Sequence, residues 1–123
     1  MKRKRILLAE DNPINQKIAI IMLKKFDQVI DLAENGSIAV EKFKTGDYDL
    51  VLMDIHMPEL DGFEATKIIR EFEKKQNSGV RTKIFAMTAS SPQDERANCF
   101  EAGMDGYITK PFNKEELTAL LLD

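Results

Sequence analysis

Apolar residues fall in five short runs, Ile6–Ala9, Val29–Ala33, Leu50–Met53, Ile84–Met87 and Tyr107–Ile108, each bounded by charged residues, Gly or Pro. Runs of this length that are nearly continuous, not alternating, predict buried strands covered on both faces. Between them the apolar positions recur at helical spacing. Ile14, Ile18, Ile21 and Met22 share one helical face, with Asn12 placed as an N-cap and Pro13 at the first helical position. Ile38 and Phe43 mark a shorter second helix that stops near Gly46, and Ala65, Ile68, Ile69 and Phe72 form a third stripe. Pro92 to Ala102 reads as a fourth helix with a thin apolar face, ending near Gly103. Asn113 followed by Glu116 resembles a capping box, and Leu117, Leu120 and Leu121 follow as a buried stripe. Strand and helix thus alternate five times, which predicts an α/β fold with a parallel sheet and helices on both faces. Right-handed crossovers restrict the strand orders to a few.

Composition narrows the class. The 123 residues suit one domain, spanning 1–123, either stand-alone or cut from a longer protein. A hydrophobic fraction of 43% against 32% charged residues excludes a disordered chain. No apolar run approaches the roughly 20 residues of a membrane-spanning helix, so no membrane insertion is expected. MKRKR leads into only ILLA before acids appear, which is no signal peptide. One cysteine, Cys99, excludes an internal disulfide framework or a cysteine-based zinc site, and fits a reducing cytoplasm. One histidine, His56, leaves no second imidazole for a His-rich metal site. The net charge of -3 argues against a broad nucleic-acid surface. Lys2 to Arg5 read as a solvated tail or strand start.

Candidate chemistry lies at the strand ends, because open α/β sheets bind ligands beyond the carboxyl ends of their strands. Glu10 and Asp11 follow the first strand, Asp54 the third, Thr88 the fourth, and Thr109, Lys110 and Pro111 the fifth. After the second strand, Glu34, Asn35 and Gly36 read as a turn, as do Asp61 and Gly62 further on. Singly, each group has an ordinary explanation. Acids after a strand complement a helix N-terminus, Asp54 suits a turn, Thr88 suits a cap, and Lys110 suits a solvated surface. Together they would place three carboxylates, a hydroxyl and an ammonium on one sheet edge. Carboxylate oxygens suit Mg²⁺, and one divalent ion cancels the net charge of this set. A carboxylate can also attack phosphorus to form an acyl phosphate, and phosphoryl transfer needs a nucleophile, a cation and donors for the developing charge. Met53, Met87 and Met104 read as core filler, Cys99 as a small helix residue, and His56 as a loop residue near the site rather than a base.

Several segments in order, ILLAEDNPINQKIA, AENGSIAV, YDLVLMDIHMPELDGFEAT, IFAMTAS and GMDGYITKPF, carry a family resemblance from Arg5 to Leu122. The chain resembles the receiver domain of two-component response regulators and hybrid sensor histidine kinases, and the NPIN stretch looks most like hybrid-kinase and phosphorelay receivers. The resemblance implies a flavodoxin-like (βα)5 doubly wound fold with a five-stranded parallel sheet in the order 2-1-3-4-5. It implies that Asp54 is the phosphoacceptor and that Asp11 and Asp54 bind Mg²⁺, with Glu10 helping through water and the backbone carbonyl of His56 as a further ligand. Mn²⁺ would substitute. Thr88, the backbone N–H of Ala89 and Lys110 would hold the phosphoryl group, the Lys110–Pro111 peptide would be cis, and Tyr107 would switch with Thr88. The implied partners are a histidine kinase or a histidine phosphotransfer protein, docking over the first helix with Ile14 and Ile18 as apolar contacts. A downstream effector would meet the face of the fourth helix, fifth strand and fifth helix. The domain would phosphorylate and dephosphorylate itself rather than act as an enzyme on other substrates.

Two features individualise the chain. The polar stretch Glu73–Thr82 is long and reads as a mobile loop. His56 and Ser90 stand where the family tunes dephosphorylation. A phosphatase of the haloacid dehalogenase type would want an Asp where His56 stands, a flavodoxin would want a hydroxyl- and Gly-rich loop where Glu10 and Asp11 stand, and a degenerate receiver would lack one of the key residues.

Overall fold

The computed structural model describes residues 3–88, 92–110 and 113–122, with 92–95 described by backbone alone. Five strands form one parallel sheet: β1 Arg5–Ala9, β2 Val29–Ala33, β3 Leu50–Asp54, β4 Lys83–Thr88 and β5 Gly106–Thr109. Their order is β2-β1-β3-β4-β5, the flavodoxin-like arrangement. The connecting helices are α1 Pro13–Lys25, α2 Gly36–Thr45, α3 Gly62–Gln76, α4 Pro92–Ala102 and α5 Lys114–Leu122. Among the described residues, no helix is long and apolar enough to cross a membrane.

Alternation along each strand divides the core in two. Leu7, Ala9, Val51, Met53, Ile84 and Ala86 face α2, α3 and α4, against Val40, Phe43, Ala65, Ile69 and Cys99. Ile6, Leu8, Leu50, Leu52, Met87 and Ile108 face α1 and α5, against Ala19, Leu23, Leu117 and Leu121. Met53, Met87, Met104 and Cys99 are buried filler, as the sequence suggested.

Three expectations need correction, and α1 first needs its faces assigned. The Ile14, Ile18 and Ile21 side chains are 69%, 41% and 58% exposed, as a docking role for Ile14 and Ile18 requires. The sheet is met instead by Ala19 and Leu23, which lie roughly 140° and 180° around the helix from Ile14. The helix carries two apolar faces, and periodicity does not choose between them. Contrary to expectation, β2 is not covered on both faces. It is an edge strand with one buried residue, Ala33, and Asp31 at its middle accepts from Lys42 Nζ at 3.0 Å and from the Tyr48 hydroxyl at 2.5 Å. The two expected turns are helix starts. Asn35 caps α2 by accepting from the Ile38 N–H, and Asp61 and Glu64 form a reciprocal capping box on α3.

The third correction concerns Glu73–Thr82. α3 runs on to Gln76, and the segment is tethered at both ends. Arg70 donates to Glu73 at 2.7 Å, to the Thr82 carbonyl at 2.8 Å, to the Gly103 carbonyl at 2.8 Å and to Asp105 at 2.9 Å. Glu73 in turn accepts from the Thr82 N–H at 2.8 Å, and Arg81 pairs with Asp105. Charge spacing in the sequence does not reveal partners 35 positions apart.

Candidate functional site at the carboxyl edge of the sheet

Each site residue is delivered by a strand end. β1 stops at Ala9, but the Glu10 N–H still donates to the Ala33 carbonyl at 3.0 Å, so the backbone stays tied to β2. Gln16, one turn into α1, donates to the Glu10 carbonyl at 2.7 Å. The Glu10 side chain is therefore turned inward and is buried, while Asp11 is exposed. Asp54 is the last residue of β3, and its side chain is 6% exposed. The chain leaves Asp54 under the start of α3. The Gly62 N–H donates to the Ile55 carbonyl at 2.9 Å, and a Cβ at Gly62 would lie 2.2 Å from the Asp54 carbonyl oxygen. Only glycine permits that approach.

Thr88 ends β4, buried, in register with Thr109 at the end of β5. The Lys110 N–H donates to the Thr88 carbonyl at 2.9 Å. The Lys110 ammonium then reaches across the edge to Glu10 Oε1 at 2.7 Å and Asp54 Oδ1 at 3.1 Å. It is not the solvated lysine that its type alone would suggest. The His56 side chain is exposed, and the His56 backbone N–H points at Asp54 Oδ1 at 3.4 Å. Tyr107 is half-buried on β5, beside a groove between β5 and α5 lined by Phe85, Ile108, Glu116 and Leu120. Ala89, Ser90 and the Lys110–Pro111 peptide lie outside the described residues.

One carboxylate oxygen each from Glu10, Asp11 and Asp54 comes within 4.8 Å of the other two. Two of these groups are buried and the set is all-oxygen, which fits a hard divalent cation. The electrostatics are those of crowding. Burial raises the Asp54 carboxyl, the neighbouring Glu10 raises it further, and Lys110 only partly offsets this, so Asp54 sits at about 7. Burial also raises Glu10, but bonds from Lys110 and the Asn12 N–H more than compensate and hold it below its ordinary value. Burial lowers Lys110, and the two carboxylates overcome that and raise it.

Sequence position located Glu10, Asp11, Asp54, Thr88 and Lys110. It missed Gln16 and Glu116, which act on backbone groups. The Glu116 carboxylate was expected to cap α5 reciprocally. It accepts from the Asn113 amide at 2.8 Å and also reaches Thr109, accepting from its N–H at 3.3 Å and its hydroxyl at 3.1 Å.

Residues 6–122 match the family model described as the response regulator receiver domain, and the chain belongs to that family. It is 43% identical to hybrid signal transduction histidine kinase B of Dictyostelium discoideum, over 94% of this chain and 6% of that protein. It is 38% identical to probable histidine kinase 1 of Oryza sativa subsp. indica, over 95% of this chain and 15% of that protein. The chain thus spans a small part of these relatives. Among solved structures, it resembles the receiver domain of a Pseudomonas aeruginosa sensor histidine kinase with magnesium coordinated in the active-site cleft. That match has 41% identity and a TM-score of 0.84, covering 98% of this chain and 95% of the other. It also resembles a chain in the co-crystal of the Saccharomyces cerevisiae histidine phosphotransfer protein Ypd1 with the receiver domain of the response regulator Ssk1. Here the identity is 38% and the TM-score 0.87, covering 94% of this chain and 84% of the other. The chain is therefore a receiver domain of the kind used in phosphorelay signalling.

Proposed function

We propose that Asp54 accepts a phosphoryl group from a phosphohistidine, that the new acyl phosphate switches a partner-binding surface, and that water later hydrolyses it. The observation that carries this reading is the Lys110 ammonium lying on Glu10 and Asp54 within the acidic cluster. An ammonium so placed can follow a phosphoryl group onto Asp54, and a lysine serving only as a counter-ion would not need the strand-end carboxylate set around it.

Asp54, Asp11, the His56 carbonyl and, through water, Glu10 would hold Mg²⁺, or Mn²⁺ in its place. When bound, the cation supplies positive charge to the transferring phosphoryl oxygens. Asp54 forms the new O–P bond as the N–P bond of the donor breaks, and the leaving imidazole keeps the electron pair and takes a proton. The reaction needs Asp54 ionised. The product carries about one more negative charge than the carboxylate it replaces. Lys110, the Thr88 hydroxyl and the Ala89 N–H receive that charge. Movement of Thr88 towards it frees space for Tyr107 to turn inward, and the face of α4, β5 and α5 changes for an effector.

The donor docks over α1, the helix that follows Glu10 and Asp11, where Ile14 and Ile18 stand exposed. A histidine kinase or a histidine phosphotransfer protein is the partner class, a reading supported by the yeast co-crystal and the hybrid-kinase relatives. The domain spans 1–123, is cytoplasmic, whether stand-alone or cut from a hybrid histidine kinase, and turns over no substrate but its own phosphoryl group.

Intact-protein mass spectrometry after incubation with acetyl phosphate tests the reading. One Mg²⁺-dependent phosphoryl adduct is expected, absent in Asp54→Asn. An adduct that persists in Asp54→Asn, or a folded wild-type chain with none, overturns it.

A further inference from the structure

We propose that Glu116, on α5, is a positioning residue that holds Lys110 in the acidic cluster. The inference deepens the functional reading above, in which Lys110 receives phosphoryl oxygens. It starts from the geometry of an edge strand. Successive N–H groups of a strand point to opposite sides. At the end of β5 the Lys110 N–H points to β4 and donates to the Thr88 carbonyl at 2.9 Å. The Thr109 N–H points the other way, where β5 has no neighbouring strand among the described residues.

The Glu116 carboxylate fills that side. Its Oε2 accepts from the Thr109 N–H at 3.3 Å, and its Oε1 accepts from the Thr109 hydroxyl at 3.1 Å and from Asn113 Nδ2 at 2.8 Å. The peptide that leads into Lys110 is thus clamped between β4 and a carboxylate on α5. Hydrogen bonds to an ionised acceptor are the stronger kind. The cap of α5 does not need this carboxylate, because Asn113 Oδ1 already accepts from the Glu116 N–H at 2.7 Å. The carboxylate serves both elements: Oε1 is shared between Asn113 and the Thr109 hydroxyl, and Oε2 faces the Thr109 N–H on β5. Its consequence falls on Lys110, whose ammonium must meet two oxygens on two other strands, and a displacement of about 1 Å in such an array costs up to about a hundredfold in rate.

Two readouts test this on the whole chain at temperatures where circular dichroism shows each variant folded. The first is the rate of Mg²⁺-dependent adduct formation with acetyl phosphate in wild type, Glu116→Ala, Lys110→Ala and the double variant. Glu116→Ala is expected to react about tenfold more slowly than wild type, and no more slowly once Lys110 is already alanine. An undiminished effect in the Lys110→Ala background would mean general damage and overturn the proposal. The second readout needs no phosphorylation: acetylation of Lys110 by an N-hydroxysuccinimide ester, followed by peptide mass spectrometry. Release of the lysine predicts several-fold faster labelling of Lys110 in Glu116→Ala, with Asn113→Ala closer to wild type. Wild-type labelling in Glu116→Ala overturns the proposal. If wild type forms no adduct, the functional reading fails, and the labelling still decides the role of Glu116. Should Glu116→Ala not fold, Thr109→Val removes one of the bonds without touching the cap, and unchanged Lys110 labelling in it is equally fatal.

Discussion

The proposed reaction needs Asp54 as a carboxylate, yet its surroundings favour the protonated form. Burial and Glu10 push it up from 3.8 to about 7. A carboxyl raised in the folded state contributes stability that is present below its unfolded value and lost as pH rises through its folded value. Without metal, the Asp54 contribution should therefore fall between about pH 4 and about pH 7, by on the order of a few kcal/mol. Glu10, held below its ordinary value, works in the opposite direction, so the informative quantity is a difference between variants. Urea unfolding in chelator should show Asp54→Asn gaining stability over wild type as pH rises across this window, and added Mg²⁺ should shrink the gap. A gap that is constant with pH would refute the crowding argument. Such electrostatics are legible in sequence only as far as the strand ends are. Glu10, Asp54 and Lys110 stood out because each follows an apolar run. Glu116 and Gln16 did not, because each binds backbone or strand-end groups whose position depends on the finished sheet.

Among the elements, α1 carries its buried residues and the proposed docking face on different sides. Leu23 is fully buried, whereas Ile18 is 41% exposed on the opposite side. Leu23→Ala should cost about 3 kcal/mol in chemical unfolding, as a cavity in a packed layer does. Ile18→Glu should move stability by less than about 0.5 kcal/mol. It should nevertheless slow transfer from a phosphohistidine donor while leaving acetyl phosphate reactivity unchanged, because the small donor needs no docking face. Equal losses with both donors would remove the docking role from this face. The sequence pattern showed that α1 exists and where it starts, since Asn12 and Pro13 are local signals. It could not assign the two faces, because isoleucine suits a core and a protein interface alike. β2 was over-read for a related reason. An apolar run describes composition, while the exposure of β2 follows from its place at the edge of the sheet. At the start of α3 the constraint is steric. Gly62→Ala should cost about 3 kcal/mol, because its new methyl meets the Asp54 and Ile55 backbone and not a movable side chain.

Across the whole molecule, the parallel sheet separates two electrostatic centres. Its carboxyl edge holds the crowded carboxylates with Lys110. Its amino edge holds Arg70, bound to Glu73 and Asp105 and to the carbonyls of Thr82 and Gly103. These groups precede β4 and β5 in the chain, so Arg70 fixes where both strands enter the sheet. Its side chain is 12% exposed, and Glu73 is equally covered. Removing one member of such a set leaves the others charged and poorly solvated, a loss of about 3–5 kcal/mol. Arg70→Met keeps much of the aliphatic stem and removes the donors, so it should lower unfolding stability by roughly that amount. Phosphorylation by acetyl phosphate, measured well below the melting temperature, should remain at the wild-type rate, because the reacting groups sit at the other end of the strands. If the rate falls with the stability, the two edges are coupled through β4 and β5, and the register that Arg70 sets would then count among the determinants of where Thr88 and Lys110 stand.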